Sequence, residues 1–164
     1  MEITTLPLSR KPERLDQLVD ECLQERRNES LRSSDGERAA GQPEFARQIA
    51  ADIPEFPMDR GLIKEALACL IREAAARVAP EARLRVTVKA NRNALMFAVK
   101  APGPGLAGPQ RDKAFSGEPA AGTLARARLI IAAHGGVAWA NGLPGKGITY
   151  YFSLPIPRSA VARP

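Results

Sequence analysis

Residues 133–155 read AHGGVAWANGLPGKGITYYFSLP, and they contain the most specific signals of tertiary structure in the chain. The HGG triplet at 134–136 is typical of a turn that ends a helix, because glycine readily takes the left-handed conformation found there. VAWAN then predicts a strand, GLPGKG a turn, and ITYYFSLP a last strand with Tyr150, Phe152 and Leu154 on one face. The stretch therefore predicts a helix end followed by a β-hairpin.

The preceding third of the chain continues this pattern. TLARARLIIAA (123–133) predicts a helix, and a long loop rich in proline and glycine covers residues 101–122. RLRVTVK (83–89) alternates strictly between apolar and polar residues, as a half-buried strand does. ALMFAVK (94–100) predicts the antiparallel partner of that strand, joined to it by a turn at Asn91–Asn93.

The first half of the chain predicts two further helices and a short strand. Asp59 is positioned to cap a helix that runs to about Arg77 and carries a broad apolar face. A short strand is expected within residues 45–53. Residues 12–28 show helical periodicity, with an apolar stripe that needs a surface to cover it. Residues 24–43 are polar and weakly periodic, and we expect the end of this helix to run into a mobile loop there.

Together these elements predict a two-layer α+β sandwich, with helices on one face of a mainly antiparallel mixed sheet. The chain has 164 residues, of which 45% are hydrophobic. That size and composition fit one domain with a real core, which we place at residues 1–158, followed by a disordered tail at 159–164.

Charge and cysteine content argue against nucleic-acid binding and against a metal site built on cysteine. The net charge is +6, but 24 basic residues are interspersed with 18 acidic ones and only 5% of residues are aromatic, a pattern that does not favour nucleic acid as a partner. Cys22 and Cys69 form no C-x-x-C motif, and a single histidine gives them little support as metal ligands. Reduced thiols, the absence of a leader pattern and the absence of a long apolar run predict a cytoplasmic protein without a membrane partner.

The order of these elements resembles the ATP-binding catalytic domain of sensor histidine kinases, within the superfamily shared with gyrase, the Hsp90 chaperones and MutL. Residues 133–155 are similar to the family's "EAHGG" helix end, "PGKGT"-like turn and "F-x-L-P" strand. DRGLIKEALACLIREA (59–74) is similar to the N-box helix, and VKAPGPGL (99–106) to the strand and loop written V-x-D-N-G-P-G-I. The likeness covers about residues 45–156 and implies a Bergerat-type fold with a site for ATP and Mg²⁺.

The resemblance implies a site whose chemistry has changed. The N-box asparagines, one of which helps to hold Mg²⁺, fall on Cys69 and Glu73, so Glu73 is the candidate metal ligand and a candidate cofactor contact. The aspartate that accepts the adenine amino group falls on Ala101. Loss of a charged acceptor costs about 1.5–3 kcal/mol, roughly 10- to 100-fold in affinity. Gly103 and Gly105 are the candidate cofactor contacts in the loop that follows.

The family's second glycine-rich motif, which opens a helix beneath the phosphates, aligns with AAGTLARAR (120–128). Gly122 is retained and Thr123 stands at or next to a glycine position, so both are candidate cofactor contacts. A side chain beside the triphosphate crowds it, because the free N–H groups of the helix must approach the phosphates closely. Phe115 falls near the place of the family's lid phenylalanine.

Several residues have two interpretations. His134 is either a phosphoacceptor or a turn cap, and its position at a helix end before two glycines favours the cap. Trp139 and the 150–152 aromatic cluster either stack on bases or pack in the core, and strand alternation favours the core. Arg126 and Arg128 either meet an anion or face solvent, and solvent is favoured.

Three functions follow as hypotheses. The first is a degenerate histidine kinase-like ATPase domain that binds nucleotide weakly or not at all and acts as a binding or regulatory module in bacterial two-component signalling. Its partner is then a kinase dimerisation domain, a receiver domain or a second copy, with the first helix as a docking element if its stripe is not covered. The second is an active ATP-binding kinase domain with altered base and Mg²⁺ contacts. The third, a nucleic-acid binder, requires steeply salt-dependent affinity.

Overall fold

The computed structural model describes residues 8–9, 11–33, 44–51, 53, 55–78, 82–91, 93–103, 113–117, 123–142 and 147–156, and for residues 27–33 and 44 the backbone alone. The helices and strands within these ranges are β1 Lys11–Glu13, α1 Leu15–Ser33, β2 Glu44–Ile49, β3 Phe56–Met58, α2 Arg60–Ala76, β4 Arg83–Ala90, β5 Ala94–Ala101, α3 Leu124–Ala133, β6 Val137–Gly142 and β7 Ile148–Pro155.

The main sheet has five strands in the order β2-β4-β5-β7-β6. β2 runs parallel to β4, and the other neighbouring strands are antiparallel. Helices α2 and α3 pack on one face of this sheet, and α1 packs on α2. The predicted α+β sandwich with helices on one face of a mainly antiparallel mixed sheet is confirmed.

The hairpin β4–β5 forms as its alternation predicts. The apolar side chains of β4 are buried, whereas Arg83, Arg85 and Lys89 are exposed. Asn91 holds the turn, because its side-chain oxygen accepts the N–H groups of Asn93 at 2.7 Å and Ala94 at 2.8 Å. A short polar side chain that bonds to its own backbone is a common turn device.

The hairpin β6–β7 sorts its aromatic residues onto two faces. Tyr150 and Phe152 face the helices, where Phe152 stacks on Phe97 with ring centroids 4.4 Å apart. Trp139 and Tyr151 are cross-strand partners on the opposite face and stack with centroids 5.0 Å apart. Core packing is therefore right for Tyr150 and Phe152 but wrong for Trp139 and Tyr151, since adjacent residues of a strand point to opposite faces.

Helix α1 begins and ends later than the predicted range 12–28. It begins at Leu15, because residues 11–13 form β1, and it ends at Ser33, so residues 24–33 are helical and not part of the expected loop; residues 34–43 lie outside the described part of the chain. The apolar stripe of α1 is buried in the core that α1 shares with α2 and therefore does not form a free docking surface; it consists of Leu15, Leu18, Val19, Cys22 and Leu23.

A second, two-stranded sheet was not predicted. β1 pairs antiparallel with β3, with Pro12 opposite Pro57. Proline donates no backbone hydrogen bond, and strands of three residues are too short to show a period. The strand expected within residues 45–53 forms as β2, which ends at Ile49.

The ends of α2 and α3 follow the predicted signals. The Asp59 carboxylate accepts the Leu62 N–H at 3.2 Å, and Arg77 is the C-cap of α2. α3 is followed by Gly135, whose φ is +81°. A Cβ at Gly136 would lie 2.0 Å from the Ser153 carbonyl oxygen, so only glycine lets the chain turn into β6 against β7.

Two predictions fall largely outside the described residues. Of the long loop 101–122, the structure describes residues 101–103 and 113–117, and the tail 159–164 is not described. Among the helices of the described part, none has the length and apolar character needed to cross a membrane.

Candidate nucleotide site

The predicted adenine side of the site lies where β5 ends and β7 begins. Ala101, the last residue of β5, pairs with Ile148, the first residue of β7. The two residues are 0% and 2% exposed. Directly paired residues project to the same face of a sheet, so this corner presents two apolar side chains to the helix layer. Neither side chain offers a hydrogen-bond acceptor to a base.

Two glycines beside this corner, Gly103 and Gly147, require glycine for different physical reasons. Gly103 has φ +113°, and no atom lies within 4 Å of the place where its Cβ would stand. Gly147 has φ +81°, and a Cβ there would lie 2.3 Å from the Ala101 carbonyl oxygen. Gly147 therefore approaches the end of β5 too closely for any side chain at this position. The other two predicted glycine contacts, Gly105 and Gly122, lie outside the described residues.

Glu73, the candidate metal ligand, is on α2 and already has a cationic partner. Arg77, one turn further along, donates to the same oxygen, Glu73 Oε1, from Nε at 3.1 Å and from Nη2 at 2.9 Å. An exposed (i, i+4) pair of this kind contributes only about 0.3–0.5 kcal/mol, so a cation is able to compete for the carboxylate. Within the described residues no three His, Cys, Asp or Glu side chains come together as a metal-binding group.

Tyr150 lies between this ion pair and the interior of the sandwich. Its side chain is fully buried, and its hydroxyl oxygen has no hydrogen-bond partner among the described residues. Burial raises the pKa of Tyr150 to about 12; the nearby Arg77 guanidinium opposes this shift, and the Glu73 carboxylate adds to it. Phe115 meets the Tyr150 ring edge-on, with centroids 6.2 Å apart. The candidate lid phenylalanine is thus in contact with the core.

Thr123 acts as the N-cap of α3. Its hydroxyl oxygen accepts the N–H of Arg126 at 3.1 Å, a bond that stabilises the first turn of the helix. The Arg126 guanidinium bonds to Glu65 on α2 at 2.8 Å, so it holds the two helices together. Solvent exposure, the favoured interpretation, is right for Arg128 and wrong for Arg126.

No protein-family model and no curated protein matches the chain. Solved structures do match. ShkA in complex with AMPPNP has a TM-score of 0.79 at 22% identity, over 96% of this chain and 33% of ShkA. The nucleotide-free catalytic domain of the histidine kinase ThkA has a TM-score of 0.73 at 20% identity, over 94% of this chain and 99% of that domain. ThkA in complex with the response regulator TrrA has a TM-score of 0.75 at 21% identity, over 93% of this chain and 43% of that one.

The chain has the fold of a histidine kinase catalytic domain. It spans nearly the whole ThkA catalytic domain but only a third of the length of ShkA. The fold resemblance inferred from the C-terminal stretch is therefore confirmed.

Within this histidine kinase-type fold, His134 has a structural role. It is 5% exposed. Its Nε2 accepts the backbone N–H of Asp59 at 3.1 Å, and its Nδ1 lies 2.9 Å from the Ile130 carbonyl oxygen. The carbonyl only accepts, so Nδ1 donates and the ring is the neutral Nδ1–H tautomer. With both ring nitrogens engaged, His134 fits the cap interpretation and not that of a phosphoacceptor.

Sequence reasoning placed Glu73 on a helix, as the structure does, but assigned Ala101 to the loop 101–122, whereas it is the last residue of β5. It missed the residues that surround both. Arg77 was seen only as a helix end, although its (i, i+4) spacing from Glu73 is a recognised ion-pair signal. The contact between Tyr150 and Phe115 joins β7 to the segment 113–117 and has no signal in local sequence. Cys69 is buried at 2% exposure, as a small apolar residue of a helix face is expected to be.

Proposed function

We propose that this chain is a histidine kinase-type ATPase domain that binds nucleotide weakly or not at all and serves as a binding or regulatory module in bacterial two-component signalling. The fold supports the first part of this proposal. The changes at the positions that correspond to the family's base and metal contacts support the second part.

The Ala101–Ile148 corner carries the proposal. A carboxylate at the position of Ala101 would accept the amino group of adenine, whereas the buried pair found here leaves that donor without a side-chain partner. An unsatisfied donor that would otherwise bond to a charged group costs about 1.5–3 kcal/mol. ATP at cellular, millimolar concentration is then expected to occupy the site only marginally.

The candidate metal-binding residue also supports weak nucleotide binding. Glu73 supplies one carboxylate, but Arg77 already neutralises it with two hydrogen bonds. Mg²⁺ prefers several oxygen ligands in octahedral order and is usually held by protein carboxylates together with substrate phosphates. One arginine-paired glutamate is therefore a weak anchor for Mg²⁺–ATP.

The expected partner is another protein of a two-component system. ThkA, whose fold this chain shares, has been solved in complex with its response regulator TrrA. We propose that the present chain likewise contacts a receiver domain or a kinase dimerisation domain, and that it acts through this contact without transferring phosphate.

Thermal unfolding with nucleotide tests the proposal. Ligand at a hundred times its Kd adds about 2.7 kcal/mol, which is roughly 5–10 °C in Tm for a chain of this length. We expect millimolar Mg²⁺–ATP to leave the Tm of the wild-type chain almost unchanged. A shift of several degrees at micromolar ATP would overturn the proposal.

Variants at Ala101 test whether weak ATP binding results from the missing carboxylate or from the lack of a pocket. Ala101→Asp lowers the Tm without ligand, because it buries a carboxylate, but restores the acceptor for adenine. We expect Mg²⁺–ATP to raise the Tm of Ala101→Asp and not that of Ala101→Val, which adds bulk without an acceptor. An equal response of the two variants would show that the acid is not what the site lacks.

One observation favours an active nucleotide site instead. The Tyr150 hydroxyl, which has no hydrogen-bond partner of good geometry among the described residues, lies near the Glu73–Arg77 pair, on the strand whose first residue pairs with Ala101. If they contact nucleotide directly, the domain is an ATP-binding kinase domain with altered base and Mg²⁺ contacts. In that case Tyr150→Phe and Glu73→Gln would each reduce a wild-type ATP shift, which the first proposal expects to be absent.

A further inference from the structure

Strand β6 forms one edge of the main sheet. Its described pairing is with β7 alone, and its other side faces a groove of about 450 Å³. The groove is bordered by Phe115 and Ser116, by Arg128 and Ala132 of α3, and by residues 136–140. A strand edge that faces open space presents backbone N–H and C=O groups to any further strand.

The sequence of β6 lacks the residues that usually prevent an edge strand from pairing with another strand. VAWANG has no charged residue and no proline, the features by which natural proteins block strand addition. The opposite edge strand, β2, differs in this respect, because its Arg47 is paired with Asp20 of α1 at 2.9 Å. Among the described residues, the sheet therefore has one edge that carries a paired charge, β2, and one that does not, β6, which we call the unguarded edge.

The outer face of the sheet, away from the helices, is divided into two halves. The half nearest β6 is uncharged: Val137 is 61% exposed, Trp139 stacks on Tyr151, and the other outward-facing residues are Asn141, Thr149 and Ser153. The basic side chains lie on the other half, at Arg83, Arg85 and Lys89 of β4 and Lys100 of β5. On the outer face a partner that adds to β6 therefore meets no charge, whereas Arg128 of α3 borders the groove on the helix side.

We propose that β6 pairs antiparallel with β6 of a second copy of this chain, about a two-fold axis at Trp139, so that the two sheets join into one. This register places Val137 opposite the partner's Asn141 and Ala138 opposite the partner's Ala140. It requires no nucleotide and is independent of the function proposed above.

Three features favour a second copy as the occupant. Ala138 and Ala140 point toward the helix layer, and their small size lets two strands meet without displacing it. On the outer face the two Trp139 rings become cross-strand neighbours and extend the existing stack with Tyr151, an arrangement that stabilises antiparallel pairs. The strand itself brings no like charges together, and β7 and β5 separate it from the basic strand β4.

The test uses charges at two exposed positions of β6. In Val137→Lys/Asn141→Lys the two-fold axis sets lysine opposite lysine twice, whereas Val137→Lys/Asn141→Asp sets lysine opposite aspartate twice. Ala46→Lys/Gln48→Lys adds the same two charges to exposed positions of β2 and is the matched control. The weight-average mass of each variant is measured by sedimentation equilibrium from micromolar to submillimolar protein, and circular dichroism verifies folding.

We expect the wild-type chain and the β2 control to rise toward twice the monomer mass with concentration. The Lys/Lys variant should dimerise roughly ten-fold more weakly, since like charges directly opposite one another destabilise a strand pair. The Lys/Asp variant should recover wild-type dimerisation or exceed it. A wild-type chain that stays monomeric throughout, equal dimerisation of the wild-type chain and the Lys/Lys variant, or equal loss in both β6 variants would overturn the proposal.

Discussion

At the scale of single residues, the Tyr150 hydroxyl is the least satisfied group of the described core. It is buried, and among the described residues no group forms a hydrogen bond of good geometry with it, although the Arg77 guanidinium lies nearby. A buried group that lacks such a bond costs stability that its removal returns. We expect Tyr150→Phe to leave the thermal unfolding temperature at pH 7 unchanged or raise it, because the ring that contacts Phe115 is retained. Tyr151→Phe, on the outer face, is the matched control. A loss of several degrees in Tyr150→Phe alone would mean that the hydroxyl has a stabilising partner.

The same hydroxyl predicts a loss of stability in alkali. The pKa of Tyr150 is raised to about 12 in the folded chain, against about 10 for an unfolded tyrosine. The stability that comes from keeping the phenol neutral is complete below pH 10 and falls as the pH rises from about 10 toward 12, because the unfolded chain ionises first. The whole effect is roughly 3 kcal/mol. Urea unfolding between pH 9 and 11 should show a shallower decline for Tyr150→Phe than for the wild-type chain.

At the scale of elements, His134 joins two helices end to end. It closes α3 through the Ile130 carbonyl and also accepts the N–H of Asp59, the N-cap of α2. His134→Ala should cost about 1–3 kcal/mol, because it leaves the Asp59 N–H unpaired, whereas the Ile130 carbonyl keeps the backbone N–H of residue 134. Chemical denaturation measures this loss. His134→Gln, which retains a donor and an acceptor, should lose less, and equal losses would contradict the bridging role.

The helices and strands also show which parts of the fold can be predicted from local sequence. Alternation located β4, β5 and β7, and capping residues located α2 and α3, because these signals are local. The β1–β3 sheet and the last turns of α1 were missed, since tertiary packing stabilises them without strong propensity. The same distinction applies to the candidate site. Family motifs pointed to Ala101 and Glu73, whereas the contacts of Tyr150 with Phe115 and Arg77 join segments far apart in the chain and have no local sequence signal.

At the scale of the whole molecule, the two sides of the sheet have different roles. The side under the helices holds the Ala101–Ile148 corner, with Tyr150 buried beneath Phe115. The outer side combines an uncharged half near β6 with basic residues on β4 and β5. The corner and the Trp139 face lie on opposite sides of the sheet, whereas Phe115 both contacts Tyr150 and borders the groove beside β6.

The position of Trp139 makes this separation visible to spectroscopy. It is the only tryptophan of the chain, and its ring stands on the outer face beside the unguarded edge. Covering that edge should shift the fluorescence emission to shorter wavelength and shield the indole from acrylamide quenching, whereas ATP bound under the helices should change neither. The protein thus carries a native optical reporter that distinguishes assembly from ligand occupancy without a label, and a blue shift caused by ATP in a monomer would show that the two faces communicate.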